Sequence, residues 1–212
     1  MMTSTDTMPQ IHDLLRRRWS PRAFSQRPVD PEVLETLFEA ARWSPSSANE
    51  QPWRFIVAIR DDQENHQKMF ECLSAGNQRW AGRAPVILLA LSKIGFERYE
   101  GNNRHSMYDT GQAMAHLSLQ ATAAGLFVHQ VGGFDAERVR RVHAIPEGFE
   151  PAVMAVIGYA DPPEILPEDL GRRETAPRER KTLDELIFEE SWGRTARFLH
   201  HHVRSGELAD NP

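Results

Sequence analysis

The stretch AARWSPSSANEQPWRFIVA (residues 40–58) changes character twice. On its N-terminal side, Leu34, Leu37, Phe38 and Ala41 fall at helical spacing. Asp30, Pro31 and Glu32 supply an N-cap, a first-position proline and an acidic first turn, so a helix is predicted from there. The helix gives way to a polar loop bounded by Pro45 and Pro52, and WRFIVAIR (53–60) then reads as a strand. Ser46, Ser47, Asn49 and Gln51 crowd short polar side chains into that loop. Such groups suit hydrogen bonds to a polyol or a heteroaromatic edge. A helix end followed by a plain turn uses the same residues, so composition leaves both readings open.

Outward toward the C-terminus, helices and strands alternate. DDQENHQKMFECL (61–73) predicts a helix opening at Asp61 or Asp62, and APVILLALS (84–92) a short strand buried on both faces. After the polar stretch IGFERYEGNNRH, a long helix is expected from about Met107 to Ala124, stopped by Gly125. Met114, Leu117, Ala121 and Ala124 mark its buried face. LFVHQV (126–131) is a third strand and AVMAVIGYA (152–160) a fourth; between them Asp135 is placed as an N-cap, with Phe134 and Val139 as a hydrophobic staple. Helices flanking a few strands indicate an α+β or α/β sandwich. DPPEILPEDLGRRETAPRERK (161–181) is too long and polar for a core element and reads as an arm over a surface. TLDE (182–185) offers a capping box ahead of Leu186, Ile187 and Phe188.

Toward the N-terminus lies RRRWSPRAF (16–24), which concentrates Arg16, Arg17, Arg18 and Arg22 around Ser20-Pro21. The chain as a whole has a net charge of −5, so this positive charge is local and no global field favours nucleic acid. Clustered guanidinia can grip a phosphate bidentately, with Ser20 as an added donor. Arginines also complement a helix C-terminus, the plainer reading. A second basic knot, Arg178 and Arg180 with Lys181, could converge on the same dianion. Gly132-Gly133, after the third strand, permits close backbone approach to a ligand or simply turns the chain. His129 reads as a packed or surface histidine. The two commonest nucleotide signatures, GxGxxG after a strand and GxxxxGK[ST], are absent, as are HExxH and GxSxG. HHHVR (200–204) reads as an exposed helix end rather than a metal site.

Four blocks, in order, resemble the nitroreductase family of FMN-dependent oxidoreductases over about residues 10–193. RRRWSPRAF is similar to the family's opening Arg-x-Ser-x-Arg/Lys-x-Phe motif. AARWSPSSANEQPWRFIVA matches its Ala-x-x-x-Pro-Ser-Ser-x-Asn-x-Gln-Pro-Trp block. HQVGGFD with IPEGFEPAVMAVIGYA resembles the later Gly-Gly-Phe and strand segments, and RERKTLDELIFEESWG the closing stretch. Trp19 and Pro21 are less usual fillers of the first motif. The resemblance implies a three-layer α+β sandwich, a mixed central sheet between helices, and a C-terminal arm embracing a partner subunit.

It also implies a site. Arg18, Trp19, Ser20 and Arg22 would hold the FMN phosphate, joined by Arg178 and Arg180. Asn77 would face the flavin edge, and Gln130, Val131, Gly132 and Gly133 would border the ring, with the Gly132 N–H toward N5. Pro45, Ser46, Ser47 and Asn49 would come from the other subunit of a homodimer. Tyr108 and Asp109, with the loop at 94–106, would line the acceptor side. NADH or NADPH would deliver hydride at N5 and leave, and a small nitroaromatic, quinone or enone would then take its place. That is a ping-pong cycle needing no catalytic side chain and no metal. A flavin-binding protein without turnover, for storage or sensing, would share the same phosphate grip.

The expected organisation is a disordered tail (1–9), an FMN-binding domain (10–160), an exchanged arm (161–193) and a helical or disordered tail (194–212). With 212 residues, 40% of them hydrophobic, the chain suffices for one such domain. Cys72 is the lone cysteine, which excludes an internal disulfide framework. No apolar run reaches the roughly 18 residues of a membrane span, and MMTSTDTMPQ lacks a signal-peptide layout. A cytoplasmic location is the expectation.

Overall fold

A computed structural model describes residues 10–97 and 100–202, and for His200, His201 and His202 the backbone alone. The expectations for residues 1–9 and 203–212, and for the histidine side chains of HHHVR, lie outside the described residues. Residues 11–175 form one compact unit, and the segment from Ala176 onward belongs to a second.

In chain order the strands of the first unit are β1 (Trp53–Ile59), β2 (Val86–Lys93), β3 (Phe127–Val131) and β4 (Phe149–Gly158). The helices are α1 (Asp13–Arg17), α2 (Pro31–Arg42), α3 (Gln63–Phe70), α4 (Ala75–Ala81), α5 (Ser106–Ala123), α6 (Ala136–Val142) and α7 (Glu168–Thr175). The strands make one sheet in the order β1-β2-β4-β3.

All three pairings are antiparallel. The expected mixed sheet is therefore corrected to an antiparallel one within these residues. The reason is visible in the register: Ile59, at the end of β1, pairs with Val86, at the start of β2. The excursion through α3 and α4 thus returns to the end it left, whereas a parallel neighbour needs a crossover to the opposite end. Pro151, which cannot donate to a ladder, is accommodated by a register shift between Ala90 and Leu91.

The three layers follow from strand alternation. Ile87, Leu89 and Leu91 of β2, with Met154 and Val156 of β4, pack with Met69, Trp80, Val139 and Leu170 of α3, α4, α6 and α7. Val86, Leu88 and Ala90, with Ala155 and Ile157, pack with Leu34, Leu37 and Ala41 of α2 and Met114, Leu117 and Ala121 of α5. Central strand β2 faces helices on both sides, which is why its sequence is an unbroken apolar run.

Several helix ends lie where their cap chemistry predicts. Asp30 accepts from Glu32 N, Asp62 from Asn65 N and Asp135 from Arg138 N. Helix α5 ends one residue earlier than expected and Ala124 is exposed, so it does not belong to the buried face. Residues 161–175 belong to the first unit. Leu170 is buried in the core, and Asp169 pairs with Arg79 of α4 through two bonds of 2.7 and 2.9 Å.

In the second unit, the Thr182–Glu185 capping box forms around a single 3-10 turn, Leu183–Glu185. Leu186 and Trp192 are exposed, and the Trp192 ring packs on Phe188 with centroids 5.0 Å apart. No helix among the described residues is long and apolar enough to cross a membrane.

Candidate functional site

Edge strand β3 gathers two of the motifs. Residues 18–23 follow the short helix α1 and lie against this strand. His129 Nδ1 donates to the Pro21 carbonyl at 2.7 Å, which fixes the proton on Nδ1 in that contact. The Trp19 ring meets Phe127 edge-on, centroids 6.0 Å apart. Arg18 donates to Ser20 Oγ at 3.4 Å, so two of the expected phosphate ligands are neighbours. Pro21 and Ala23 are buried, and the loop is thereby a fixed part of the fold rather than a solvated helix end.

His129 also packs on the Trp80 ring, centroids 4.6 Å apart. Burial pushes its pKa below the usual histidine value; the Pro21 carbonyl opposes that shift and the Arg22 charge adds to it. The ring is thus a neutral structural link, consistent with a packed histidine.

The same strand runs into Gly132-Gly133. Gln130 Nε2 donates to Ser118 Oγ of α5 at 3.3 Å, and the Val131 side chain is buried in the core. The Gly133 carbonyl accepts from Asn77 Nδ2 at 2.9 Å and from Ser74 N at 3.0 Å. A Cβ on Gly133 would lie 2.9 Å from both Asn77 Nδ2 and Ser74 Oγ, so no side chain fits unless those groups move. Gly132 is exposed and has open space around its Cα. Among the described residues no acceptor takes its N–H. Asn77 therefore has a role the sequence did not show: it sets the glycine turn.

The loop from 45 to 51 forms a second group at the N-terminus of α5. Ser47 N donates to Asp109 Oδ2 at 2.9 Å, and Gln112 Nε2 reaches Asp109 Oδ1 at 3.4 Å. Gln51 N donates to Ser46 Oγ at 2.9 Å. Ala48, Asn49 and Gln51 all have positive φ, 52°, 54° and 48°, a conformation that costs about 1 kcal/mol or more per residue and needs external support. Asp109 is 3% exposed and occupied by those donors, while Tyr108 beside it is 69% exposed. The structure thus separates the two residues expected on the acceptor side: Tyr108 is available and Asp109 is engaged with the loop. Pro45 and Asn49 are exposed, and Ser46 and Ser47 half-buried.

Arg178 and Arg180 are exposed on the second unit, where Arg180 donates to the Glu179 carbonyl. A surface cavity of about 820 Å³ between α2 and α5, lined by Glu35, Glu39, Trp43 and His116 among others, contains none of the expected FMN contacts. Sequence reasoning missed Glu174. Its carboxylate, 4% exposed, accepts from the backbone N–H groups of Arg22 and Ala23. It sits in a run of alternating charges, and nothing local in the sequence distinguishes it from its neighbours.

The chain matches known proteins along most of its length. Residues 15–159 match the Nitroreductase family. An uncharacterised 15.4 kDa protein of Mycolicibacterium smegmatis is 30% identical over 66% of this chain and 97% of its own length. A Ralstonia nicotianae relative, provisionally named an NADH dehydrogenase/NAD(P)H nitroreductase, is 27% identical over 67% of this chain and 81% of its own. The fold is similar to a crystal structure described as an oxidoreductase containing FMN, with 34% identity, a TM-score of 0.84, and coverage of 92% of this chain and 100% of that one. A nitroreductase family protein from Clostridium difficile 630 superposes with a TM-score of 0.68 at 26% identity, over 86% of this chain and 99% of that one. With its opening motif and glycine turn fastened to one strand, and with the family pattern spanning its sheet, this chain belongs to the nitroreductase family.

Proposed function

We propose that the protein is an FMN-dependent oxidoreductase that passes electrons from NAD(P)H to small nitroaromatic, quinone or enone acceptors by a ping-pong mechanism. One observation carries the reading: the Arg18–Arg22 loop lies against Phe127 and His129 of β3, and the same strand runs directly into the Gly132-Gly133 turn. The residues fit FMN. Guanidinium and hydroxyl groups gather in the loop, and the turn after the strand carries an N–H without an acceptor among the described residues, beside a glycine whose Cβ would crowd Asn77 and Ser74. The FMN-containing neighbour and the naming of the Ralstonia relative support the cofactor and the donor.

When bound, FMN supplies the redox chemistry itself. Arg18, Ser20 and Arg22 hold the phosphate with charge-assisted hydrogen bonds, with Trp19 flanking. Gln130, Val131 and Gly133 border the ring, and the Gly132 N–H donates to its central edge. Asn77 keeps that turn in place. Arg178 and Arg180 extend the phosphate grip from the C-terminal segment. Pro45, Ser46, Ser47 and Asn49 serve the flavin of a second copy in a homodimer, which is also what covers Leu186 and Trp192. Tyr108 meets the acceptor.

A visible spectrum under anaerobic conditions tests this. The protein should purify yellow or turn yellow with FMN, and NADH or NADPH should bleach it within seconds. Flavin that neither nicotinamide bleaches points to another electron donor or to a flavin-binding protein without turnover. A colourless protein that ignores added FMN refutes the proposal.

A further inference from the structure

Glu174 sits near the C-terminal end of α7, far in sequence from the opening motif, yet its carboxylate is engaged by that motif's backbone. Oε1 accepts from Arg22 N at 2.7 Å and from Ala23 N at 3.0 Å, and Oε2 lies 3.0 Å from Arg22 N. The Arg22 guanidinium stands 3.8 Å away, and the Glu174 side chain is 4% exposed. Two consecutive backbone donors and one cation thus converge on a buried carboxylate.

The consequence for Arg22 is geometric. Its own N–H and that of the next residue are both fixed, so the peptide units on either side of its Cα cannot rotate freely. The direction of its Cα–Cβ bond is set. The support behind Glu174 is itself firm: Leu170 is buried in the core, and Asp169 is held by both guanidinium arms of Arg79. On the far side, Asp161 N donates to Ala23 O at 2.9 Å and Ser25 N to Tyr159 O at 2.9 Å, which continues the anchoring toward β4.

We propose that Glu174 is a positioning residue for phosphate recognition: it holds residues 22–23 and aims Arg22 at the phosphate of FMN. This rests on the FMN reading above. A carboxylate so close to a phosphate site also repels the anion, so the sign of its effect is informative. Positioning predicts that removal weakens binding, and repulsion predicts that removal tightens it.

The test is a set of fluorescence titrations of the full-length chain with FMN and, separately, riboflavin, which lacks the phosphate. The variants are E174A, E174Q, R22A and the E174A/R22A pair. E174A should raise the Kd for FMN by about tenfold or more, the effect of a lost bond to a charged group. E174Q retains one carbonyl acceptor and should lie between wild type and E174A. The double variant should bind FMN no more weakly than the weaker single variant, because Glu174 acts through Arg22. Riboflavin affinity should stay within about twofold across the set. Hydrogen exchange without flavin gives an independent readout: the Ala23 N–H should be protected in wild type and lose protection in E174A. Unchanged or tighter FMN binding by E174A, equal losses for FMN and riboflavin, or additive effects in the double variant would overturn the proposal while leaving FMN binding intact. A wild-type chain that does not bind FMN would instead refute the functional reading itself.

Discussion

Asp109→Ala separates two roles for one carboxylate. It was expected to border the acceptor; the structure gives it to the loop. It is 3% exposed and accepts from Ser47 N at 2.9 Å, with Gln112 Nε2 farther off at 3.4 Å. One good hydrogen bond to a charged group is worth about 1.5–3 kcal/mol, and a carboxylate in the first turn of α5 adds about 0.3–1 kcal/mol through the helix dipole. Relief of the carboxylate's desolvation offsets part of that sum. The expected loss is therefore about 2 kcal/mol, roughly a thirtyfold shift toward the unfolded chain. Asp109→Asn keeps an acceptor for Ser47 and should lose about 1 kcal/mol or less. Urea unfolding of the flavin-free protein at pH 7 measures both. Limited proteolysis should also cut the 45–51 loop faster in the alanine variant, since the three positive-φ residues lose their support. A loss under about 0.5 kcal/mol, combined with a raised KM for the acceptor, would refute this reasoning and return Asp109 to the substrate side.

Arg22→Ala leaves the backbone bonds to Glu174 in place and removes only the guanidinium, so FMN binding should weaken by about 1.5–3 kcal/mol in a fluorescence titration; unchanged affinity would show that Arg22 points elsewhere. Gly133→Ala must displace Asn77 Nδ2 and Ser74 Oγ, each 2.9 Å from the new Cβ. Overpacking of this kind costs about 1–3 kcal/mol by denaturation, and slower flavin uptake should accompany it. His66, His129 and His143 are all held below the usual histidine value, chiefly by burial. Their unfolded forms take up protons first, so stability should fall as pH drops through about 6.5 toward 5. A urea midpoint that stays level or rises between pH 7 and 5 would contradict that sign. Glu39, lowered to about 2 by its hydrogen bonds to Arg42 and then Trp43, adds to the same fall only near the acid end of that window, where the unfolded glutamate starts to take up protons.

The layered architecture was legible because its signals are local. The apolar run of β2, the Asp30-Pro31 helix start and the Asp135 cap each declare themselves within a few residues. The two missed helices lack such signals. Helix α4 spans seven residues, contains Gly76 and has no side-chain cap bond at Ser74. Helix α7 is highly charged and buries only Leu170, so its pattern reads as an arm over a surface rather than as a helix. Strand direction depended on where excursions return, which no periodicity encodes. The site residues were named by motif, while their mutual support was hidden: Asn77 on Gly133, Asp109 on Ser47 and Glu174 on Arg22 all join distant segments.

The last of these ties has a consequence for the order of events during synthesis. Arg22 and Glu174 are 152 residues apart in the chain. At about 5–20 residues per second, a ribosome makes Glu174 roughly 8–30 s after Arg22. Throughout that interval the arginine loop exists without the carboxylate that orders it. If the loop holds a phosphate as proposed, that grip stays incomplete until nearly all of the first unit has been made. A chain cut short before Glu174 would keep every arginine of the motif and lack the group that gives the loop its shape.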